Sequence, residues 1–232
     1  MIKIISFKIC PFVQRVTAAL LARNIEFEVE YINLKDKPQW FLDVSPNGQV
    51  PLLITEEGQS LFESDAIVEY IEDSFGPVEH NVTHEQRAIN RAWSYQATKH
   101  YLVQCSTMRS ETQETFTERV AKLSQLFEKA EQHLTGENHY FNSNTLSNVD
   151  IAWLPLLHRA SIIEEHSGYD FLSSFPKVKQ WQQQLMKLDL VNKSVSPDFE
   201  QRFVEFYLTN TYLGENVHTN EGESCNTSAC CG

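Results

Sequence analysis

The sequence has little positive charge, with 19 lysines and arginines against 31 acidic residues and a formal net charge of -12. This surplus of negative charge repels phosphate backbones and anionic lipid surfaces, so neither nucleic acid nor a membrane is expected as a partner. No apolar run approaches the roughly 18 residues of a membrane span, and the opening MIKIISF is too short for a signal peptide. We therefore expect a cytoplasmic protein.

Several catalytic signatures are also missing. The sequence has no HExxH pair, no phosphate loop, no glycine-rich nucleotide fingerprint and no Ser-His-Asp order. Its five cysteines, at positions 10, 105, 225, 230 and 231, follow no regular spacing, which in a reducing compartment favours free thiols over a disulfide framework. What is present is 41% hydrophobic residues over 232 positions, enough to bury a core.

The first part of the chain alternates strand and helix signals. The β-branched run IKIISF predicts a strand, Pro11 fits the first turn of a helix, and FEVEYI predicts a second strand. Such an order indicates a parallel βαβ unit. VPLLI and QSLF then predict a β-hairpin, and a helix opens at Ser64 and ends near Gly76. The order βαβ followed by ββα is that of a thioredoxin-type domain.

The rest of the chain carries helical signals only. The predicted helices cover about residues 84–109, 114–135, 147–166, 175–188 and 198–209. The fold class is therefore α/β plus all-α, an N-terminal thioredoxin-like domain followed by a helical bundle. The predicted boundaries are 1–76 for the thioredoxin-like domain, 77–83 for a linker, 84–213 for the helical domain and 214–232 for a disordered tail.

Local patterns in the helical part carry three further predictions. Ser147 and Asp150 have the spacing of a capping box, with Asp in place of the usual Glu. Pro155 should kink the helix that follows or end its first half. Six large side chains are candidates for the wall of a second-substrate site, but their helical spacing favours the core: Trp93, Tyr95, Tyr101, Met108, Trp153 and Trp181.

Cys10 lies between the first strand and the first helix, directly before Pro11. A helix N-terminus presents unpaired N–H groups and a positive dipole, so we expect the pKa of this thiol to be lowered from about 8.5. A dithiol motif would place a second cysteine at position 13, which is Val13. The alternative is an inert buried thiol. Cys105 is expected to be a packing residue and would be a resolving thiol only if it faces Cys10.

Four stretches, in order, resemble the cytosolic glutathione transferases, and within them the omega class. They are Cys10-Pro11-Phe12, NLKDKPQWF, NGQVP and ESDAIVEYI. The resemblance covers about residues 3–210 and implies a homodimeric enzyme with glutathione as co-substrate and no metal. It further implies thiol transferase or dehydroascorbate reductase activity on a small electrophilic or oxidised second substrate.

The resemblance also implies roles for the CPF residues. Cys10 would form a mixed disulfide with glutathione, with Pro11 and Phe12 completing the motif beside it. Because position 13 is Val13, the expected cycle is monothiol. The thiolate attacks an oxidised substrate or a glutathionylated thiol, becomes glutathionylated, and is released by a second glutathione.

Further residues would hold the tripeptide. By resemblance, Lys37 contacts glutathione, the backbone of Val50 pairs with its cysteinyl part, and Pro51 is a cis-proline. Glu63 and Ser64 hold the γ-glutamyl group. These types suit an anionic, extended ligand that needs a cation, a carboxylate and hydrogen-bonding groups. Taken alone, Lys37 is a solvated lysine, Glu63 an acid at a helix start and Ser64 a helix cap.

Two other interpretations stay open. One is a non-catalytic interaction protein similar to the stringent starvation protein A family, which uses the glutathione transferase fold to engage RNA polymerase. The presence of Cys10 together with Lys37, Glu63 and Ser64 argues against it. The other is metal handling by the tail SCNTSACCG, whose thiols suit a soft metal but whose spacing matches no standard zinc module.

Overall fold

The computed structural model describes residues 1–80 and 82–215. Its elements are β1 (Ile2–Ser6), α1 (Pro11–Leu21), β2 (Phe27–Tyr31), α2 (Gln39–Val44), β3 (Leu52–Ile54), β4 (Ser60–Phe62), α3 (Ser64–Phe75), α4 (His84–Met108), α5 (Gln113–His133), α6 (Asn148–Ser167), α7 (Pro176–Leu185), α8 (Asp189–Lys193), α9 (Phe199–Tyr207) and α10 (Tyr212–Glu215). The predicted fold class is confirmed. Within the described ranges, no helix is both long and apolar enough to cross a membrane.

A four-stranded mixed sheet forms the centre of the N-terminal unit, in the order β2-β1-β3-β4. β1 runs parallel to β2, with Ile4 opposite Val29, and antiparallel to β3, with Ile4 opposite Leu53. β3 and β4 form the predicted antiparallel hairpin. Ile4 and Leu53 are fully buried because α1 and α3 cover this sheet.

Helix α1 packs its apolar face against both the sheet and the helical unit. Val16 and Leu20 are fully buried, and Asn24, with φ of 54°, ends the segment in the left-handed conformation that its sequence position predicts. Ile151 and Leu154 of α6 belong to the same apolar cluster as Val16. The two units therefore share a hydrophobic interface instead of being joined by the linker alone.

The helical unit has a core of aromatic side chains. Tyr101, Met108 and Trp153 are fully buried and Trp181 is almost so, which confirms the core interpretation for these four. The rings of Trp153 and Trp181 lie 5.2 Å apart, within the range of favourable aromatic pairs. Trp93 is partly buried against this core.

The predicted capping box at the start of α6 is confirmed. The Ser147 hydroxyl accepts from the backbone N–H groups of Val149 and Asp150, and Asp150 Oδ2 accepts from Ser147 N at 2.8 Å. Asp150 Oδ1 accepts from Phe141 N at 2.9 Å and from Trp181 Nε1 at 2.7 Å. This buried carboxylate therefore joins α6 to the preceding loop and to α7.

The predicted helix pattern was wrong in two places. No helix was predicted between the second strand and the hairpin, but α2 lies there and is held by the fully buried Phe41. The helix predicted over 175–188 ends at Leu185 and is followed by the separate helix α8. Of the two outcomes predicted for Pro155, the end of the helix does not occur, because α6 continues through it to Ser167. The burial of the surrounding residues of α6 offsets the ~3 kcal/mol that an internal proline costs.

The first two residues of the predicted tail lie in a helix. Gly214 and Glu215 belong to α10, so these two positions are helical. Residues 216–232, with Cys225, Cys230 and Cys231, lie outside the described residues, and so does the prediction of disorder made for them.

Candidate functional site

A pocket of about 310 Å³ lies where the start of α1, the loop before β3 and the start of α3 meet. Every predicted site residue except Pro11 lines it: Cys10, Phe12, Lys37, Val50, Pro51, Glu63 and Ser64. The sequence analysis missed the other wall residues, which are Leu34, Ser45, Asn47, Gly48, Gln49, Phe62 and Leu102. Most of these are neighbours in sequence of predicted residues, and Leu102 is an exposed leucine on α4.

Glu63 enters the pocket from an unusual backbone conformation. Its φ is 65° and its ψ 116°, at the N-cap of α3. A non-glycine residue held there stores roughly 1–3 kcal/mol of strain, and such residues concentrate at binding sites. Asn47 Nδ2 donates to Glu63 Oε1 at 2.9 Å, which ties the carboxylate to the loop on the opposite wall. Ser64, the first residue of α3, is buried beside it.

Lys37 lies beside the tight turn at Gly48. Gly48 has a φ of +56°, and a Cβ added there would meet Leu42 Cδ2 at 3.3 Å and Lys37 Nζ at 3.6 Å. Glycine thus supplies the left-handed conformation and avoids a tight contact with Leu42, while the Lys37 ammonium group lies at van der Waals distance from this turn. The pocket wall therefore carries a cation from Lys37 and an anion from Glu63.

The thiol of Cys10 lies near the backbone that closes the pocket. The Val50–Pro51 peptide bond is cis, as the sequence resemblance implies. Cys10 Sγ is 4.0 Å from the carbonyl oxygen of Val50, a long contact for a thiol donor. The nucleophile predicted from the sequence and the backbone predicted to pair with the ligand are therefore neighbours.

The predicted lowering of the Cys10 pKa was wrong. Burial raises the pKa of this thiol to about 11, against the opposing effects of the N–H groups of Val13 and Phe12 and of the Arg159 charge. Desolvation by the surrounding protein penalises the thiolate, and here it outweighs the effect of the helix N-terminus. The N-terminal effect was visible in the sequence, whereas the burial was not.

Arg159 is a residue that sequence reasoning missed. It lies on α6, is fully buried, and reaches across the interface between the units to the loop that carries Cys10. Its Nη2 donates to the carbonyl oxygen of Ile9 at 3.1 Å. A charged residue inside the apolar run IAWLPLLHRASII was the only signal available, since arginine is rarely fully buried.

Gln14 and His158 extend the polar contacts of Arg159. Gln14 Oε1 accepts from Arg159 Nη1 at 2.5 Å, so the amide nitrogen of Gln14 faces His158 Nδ1 at 3.0 Å. That ring nitrogen must then be an acceptor, and His158 is neutral. Burial, and next the charge of Arg159, lower the pKa of His158 to about 3.

Cys105, on α4, acts electrostatically on Cys10. Its negative form raises the pKa of Cys10, so the two sulfur atoms are close enough to interact electrostatically. Burial also raises the pKa of Cys105, while the charge of Arg159 and a hydrogen bond from Tyr207 lower it. Cys105 is therefore part of the surroundings of Cys10 as well as a packing residue.

A second cavity of about 660 Å³ lies next to the loop between β1 and α1. It is lined by Phe7, Lys8, Ile9, Tyr31, Ile32, Asn33, Arg202, Glu205 and Phe206. Ile9 lines this cavity, and the next residue, Cys10, lines the first one. The walls of the two cavities therefore include residues that are adjacent in the sequence. The walls combine aromatic rings with the charges of Lys8 and Arg202.

Two family models match the chain. "Glutathione S-transferase, N-terminal domain" matches residues 4–79, and "Glutathione S-transferase, C-terminal domain" matches residues 95–189. The two matches together span most of the chain, which belongs to the glutathione S-transferase family. The chain is thus a member of an enzyme family, as predicted.

Individual relatives point to the omega class within that family. Glutathione S-transferase omega-1 of Sus scrofa is 29% identical over 215 residues, 91% of this chain and 88% of the relative. "Probable glutathione S-transferase DHAR1, cytosolic" of Oryza sativa subsp. japonica is 29% identical over 159 residues, 68% of this chain and 70% of the relative. The omega-like resemblance seen in the sequence is confirmed.

Solved structures of glutathione transferases have a similar fold. Glutathione transferase Omega 3C from Trametes versicolor superposes with a TM-score of 0.72 at 25% identity, covering 84% of this chain and 89% of that one. Rice GST1 (OsGSTU1), solved in complex with glutathione, has a TM-score of 0.75 at 21% identity, covering 89% and 94%. The second similarity shows the fold alone.

Proposed function

We propose that this chain is an omega-like glutathione transferase that acts as a glutathione-dependent thiol transferase and dehydroascorbate reductase, with Cys10 as the nucleophile. The observation that carries the proposal is that Cys10 shares one pocket with Lys37, Glu63 and Ser64. A thiol and a set of charges suited to a zwitterionic tripeptide occur in the same small cavity. A surface that only binds a partner protein needs neither the thiol nor this set of charges.

The pocket groups match the parts of glutathione. The Lys37 ammonium suits a carboxylate, and the Glu63 carboxylate suits the α-amino group of the γ-glutamyl part. Ser64, at the N-terminus of α3, offers donors to the γ-glutamyl carboxylate. The backbone of Val50 pairs with the cysteinyl part in the manner of an added strand. This arrangement brings the glutathione sulfur towards Cys10.

The reaction then needs two exchanges. The Cys10 thiolate attacks the glutathione sulfur of a mixed disulfide, a Cys10–glutathione disulfide forms, and the substrate leaves as a thiolate that takes up a proton. A glutathione thiolate next attacks this disulfide, which releases oxidised glutathione and restores the Cys10 thiolate. With dehydroascorbate, two glutathione molecules are oxidised for each ascorbate formed. The second cavity, beside Ile9, is the proposed site for the second substrate.

The adduct itself tests the proposal. The full chain is incubated with oxidised glutathione and weighed intact, and the modified peptide is then identified. We expect one glutathione on Cys10, and the same adduct in Cys105→Ser, the matched cysteine control. An absence of adduct on Cys10, together with no binding of reduced glutathione and co-purification with a large partner, would favour the interaction-protein alternative.

We also propose a cytosolic homodimer, as expected from the family. Light scattering after gel filtration should give the mass of two chains. Assembly varies among structural neighbours, since one of them, Leishmania TDR1, is described as a trimeric glutathione transferase. A mass of one chain or of three would replace the dimer proposal.

A further inference from the structure

Arg159 is a buried cation that has no anionic partner among residues 1–80 and 82–215. Its side chain is fully buried, and none of the ion pairs formed by residues 1–80 and 82–215 includes it. Its Nε has no hydrogen-bond partner among the described residues. Burying an unpaired charge is costly, so a guanidinium kept in this position needs a physical reason.

The hydrogen bonds of Arg159 hold backbone next to the nucleophile. Nη2 donates to the carbonyl oxygen of Ile9, and Nη1 donates to Gln14 Oε1 and, at 3.0 Å, to the carbonyl oxygen of Pro155. Ile9 directly precedes Cys10, and Gln14 lies one turn after it on α1. All three acceptors are neutral, so the positive charge is hydrogen-bonded but not neutralised.

The groups around this charge come from every element that packs near Cys10. Four groups act against burial and raise the pKa of Arg159 through the negative charge of their ionised forms. They are Cys105 and Tyr101 on α4, Tyr207 on α9, and Cys10 at the start of α1. The charges of Arg15 and Asp65 act on Tyr101: the charge of Arg15 lowers its pKa and the charge of Asp65 raises it. Lys37 and Glu63 face Cys10 from the pocket. Burial raises the pKa of both tyrosines, so they stay neutral at physiological pH.

We propose that Arg159 is a positioning residue that fixes the Ile9 carbonyl before Cys10 and supplies the counter-charge of the Cys10 thiolate. The buried cation is neutralised when Cys10 releases its proton to solvent. In the absence of the thiolate, this charge faces, among the described residues, only neutral hydrogen-bond acceptors and the rings of Phe199 and Phe203, 5.3 and 6.0 Å away. Ionisation of Cys10 would give it an anionic partner at the step that generates the nucleophile. This inference rests on the proposed nucleophilic role of Cys10, but its test follows the thiol alone and needs no turnover.

The experiment measures how fast iodoacetamide alkylates Cys10, from about pH 7 to pH 11, without glutathione and with the site identified by peptide mapping. Arg159→Met removes both the charge and the hydrogen bonds. Gln14→Glu leaves Arg159 in place and gives Nη1 a carboxylate partner, which neutralises the charge of Arg159. It also replaces the amide nitrogen that faces His158 Nδ1 by a carboxylate oxygen. Both variants should move the alkylation profile of Cys10 to higher pH. A profile displaced by one pH unit should lower the rate at fixed pH about threefold, because a more basic thiolate is also more nucleophilic.

Arg23 provides the matched control. It also joins the two units, donating through Nε to the Gly76 carbonyl at 2.8 Å and through Nη2 to Asn148 Oδ1 at 3.3 Å. Arg23→Met should lower the melting temperature and leave the Cys10 profile unchanged. Unchanged profiles in folded Arg159→Met and Gln14→Glu would overturn the proposal. If Arg159→Met does not fold, Gln14→Glu decides alone. If the two variants displace the profile but the parent protein forms no glutathione adduct on Cys10, the result would count against the proposed function and not against the role of Arg159.

Discussion

The two sides of Cys10 are built differently. The pocket side comes from the N-terminal unit and is open and polar, with Lys37 and Glu63 reaching solvent. The interior side comes from the helical unit and is closed, with Arg159 and Tyr101 fully buried. Ligand recognition and thiol ionisation therefore depend on different halves of the chain. Substitutions on one side should change one property and leave the other intact.

The largest effect is expected from Cys10→Ser, which removes the group where the two sides meet. Thiol transferase and dehydroascorbate reductase activity should be abolished, because a serine hydroxyl forms no disulfide. The affinity for reduced glutathione, measured by calorimetry, should change little, because the pocket walls remain. Full thiol transferase activity in this variant would refute the assignment of the nucleophile.

A change deep on the interior side should act on stability and leave binding alone. The pKa of His158 is about 3 in the folded protein against roughly 6.5 when unfolded, so the unfolded state binds more protons as the pH falls below 6.5. Stability is therefore lost as the pH falls from 6.5 towards 3. Between pH 7 and pH 4 this residue should account for about 3 kcal/mol of the loss.

The variant His158→Gln isolates that contribution. Urea unfolding at pH 7 and at pH 4 should show a smaller loss of stability in the variant than in the parent protein. The Michaelis constant for glutathione should be the same in both. An identical acid loss in the two proteins would show that His158 is charged in the fold.

On the pocket side, Glu63→Gln should weaken glutathione binding and spare ionisation. Losing one charge-assisted hydrogen bond costs about 1.5 kcal/mol or more, which is about tenfold in affinity. The amide retains the size and the contact with Asn47, so the backbone conformation is disturbed little. A displaced Cys10 alkylation profile in this variant would show that the pocket side also controls the ionisation of the thiol.

The smallest effect is expected from Lys37→Met. A partly exposed ion pair contributes about 0.2–1 kcal/mol, so the Michaelis constant for glutathione should rise about 1.4- to fivefold, and less at high salt. Lys35→Met is the matched control, since Lys35 lies in the same loop but does not line the pocket. Equal effects of the two substitutions would assign the change to the overall charge of the loop.

The pocket side was largely predictable from the family resemblance, because the residues that carry the resemblance lie in short segments. Taken alone, Lys37 and Glu63 would have been interpreted as a solvated lysine and an acid at a helix start. CPF, NGQVP and ESDA each combine a turn or helix start with a side chain of the required type. The wall residues that were missed, such as Asn47 and Gly48, lie within or beside these segments. The order of strands and helices was predictable from local signals, whereas α2, with six residues, was too short to show a period.

The interior side was not predictable, since it depends on packing between distant parts of the chain. Arg159 and Ile9 are separated by 150 residues, and no local pattern connects them. The pKa of Cys10 shows the same limit: its helix N-terminus can be inferred from Pro11, but its desolvation results from the neighbours that α4 and α6 place around it.

The geometry of helix α6 constrains the spacing between Asp150 and Arg159. Asp150 and Arg159 are nine residues apart, and at about 100° per residue this is close to two and a half turns. The two side chains therefore leave the helix on opposite sides, one bonded within the helical unit and the other to the loop before Cys10. Inserting a single residue between them would rotate Arg159 by about 100° away from Ile9. The number of residues between the two is thus as constrained as their identities.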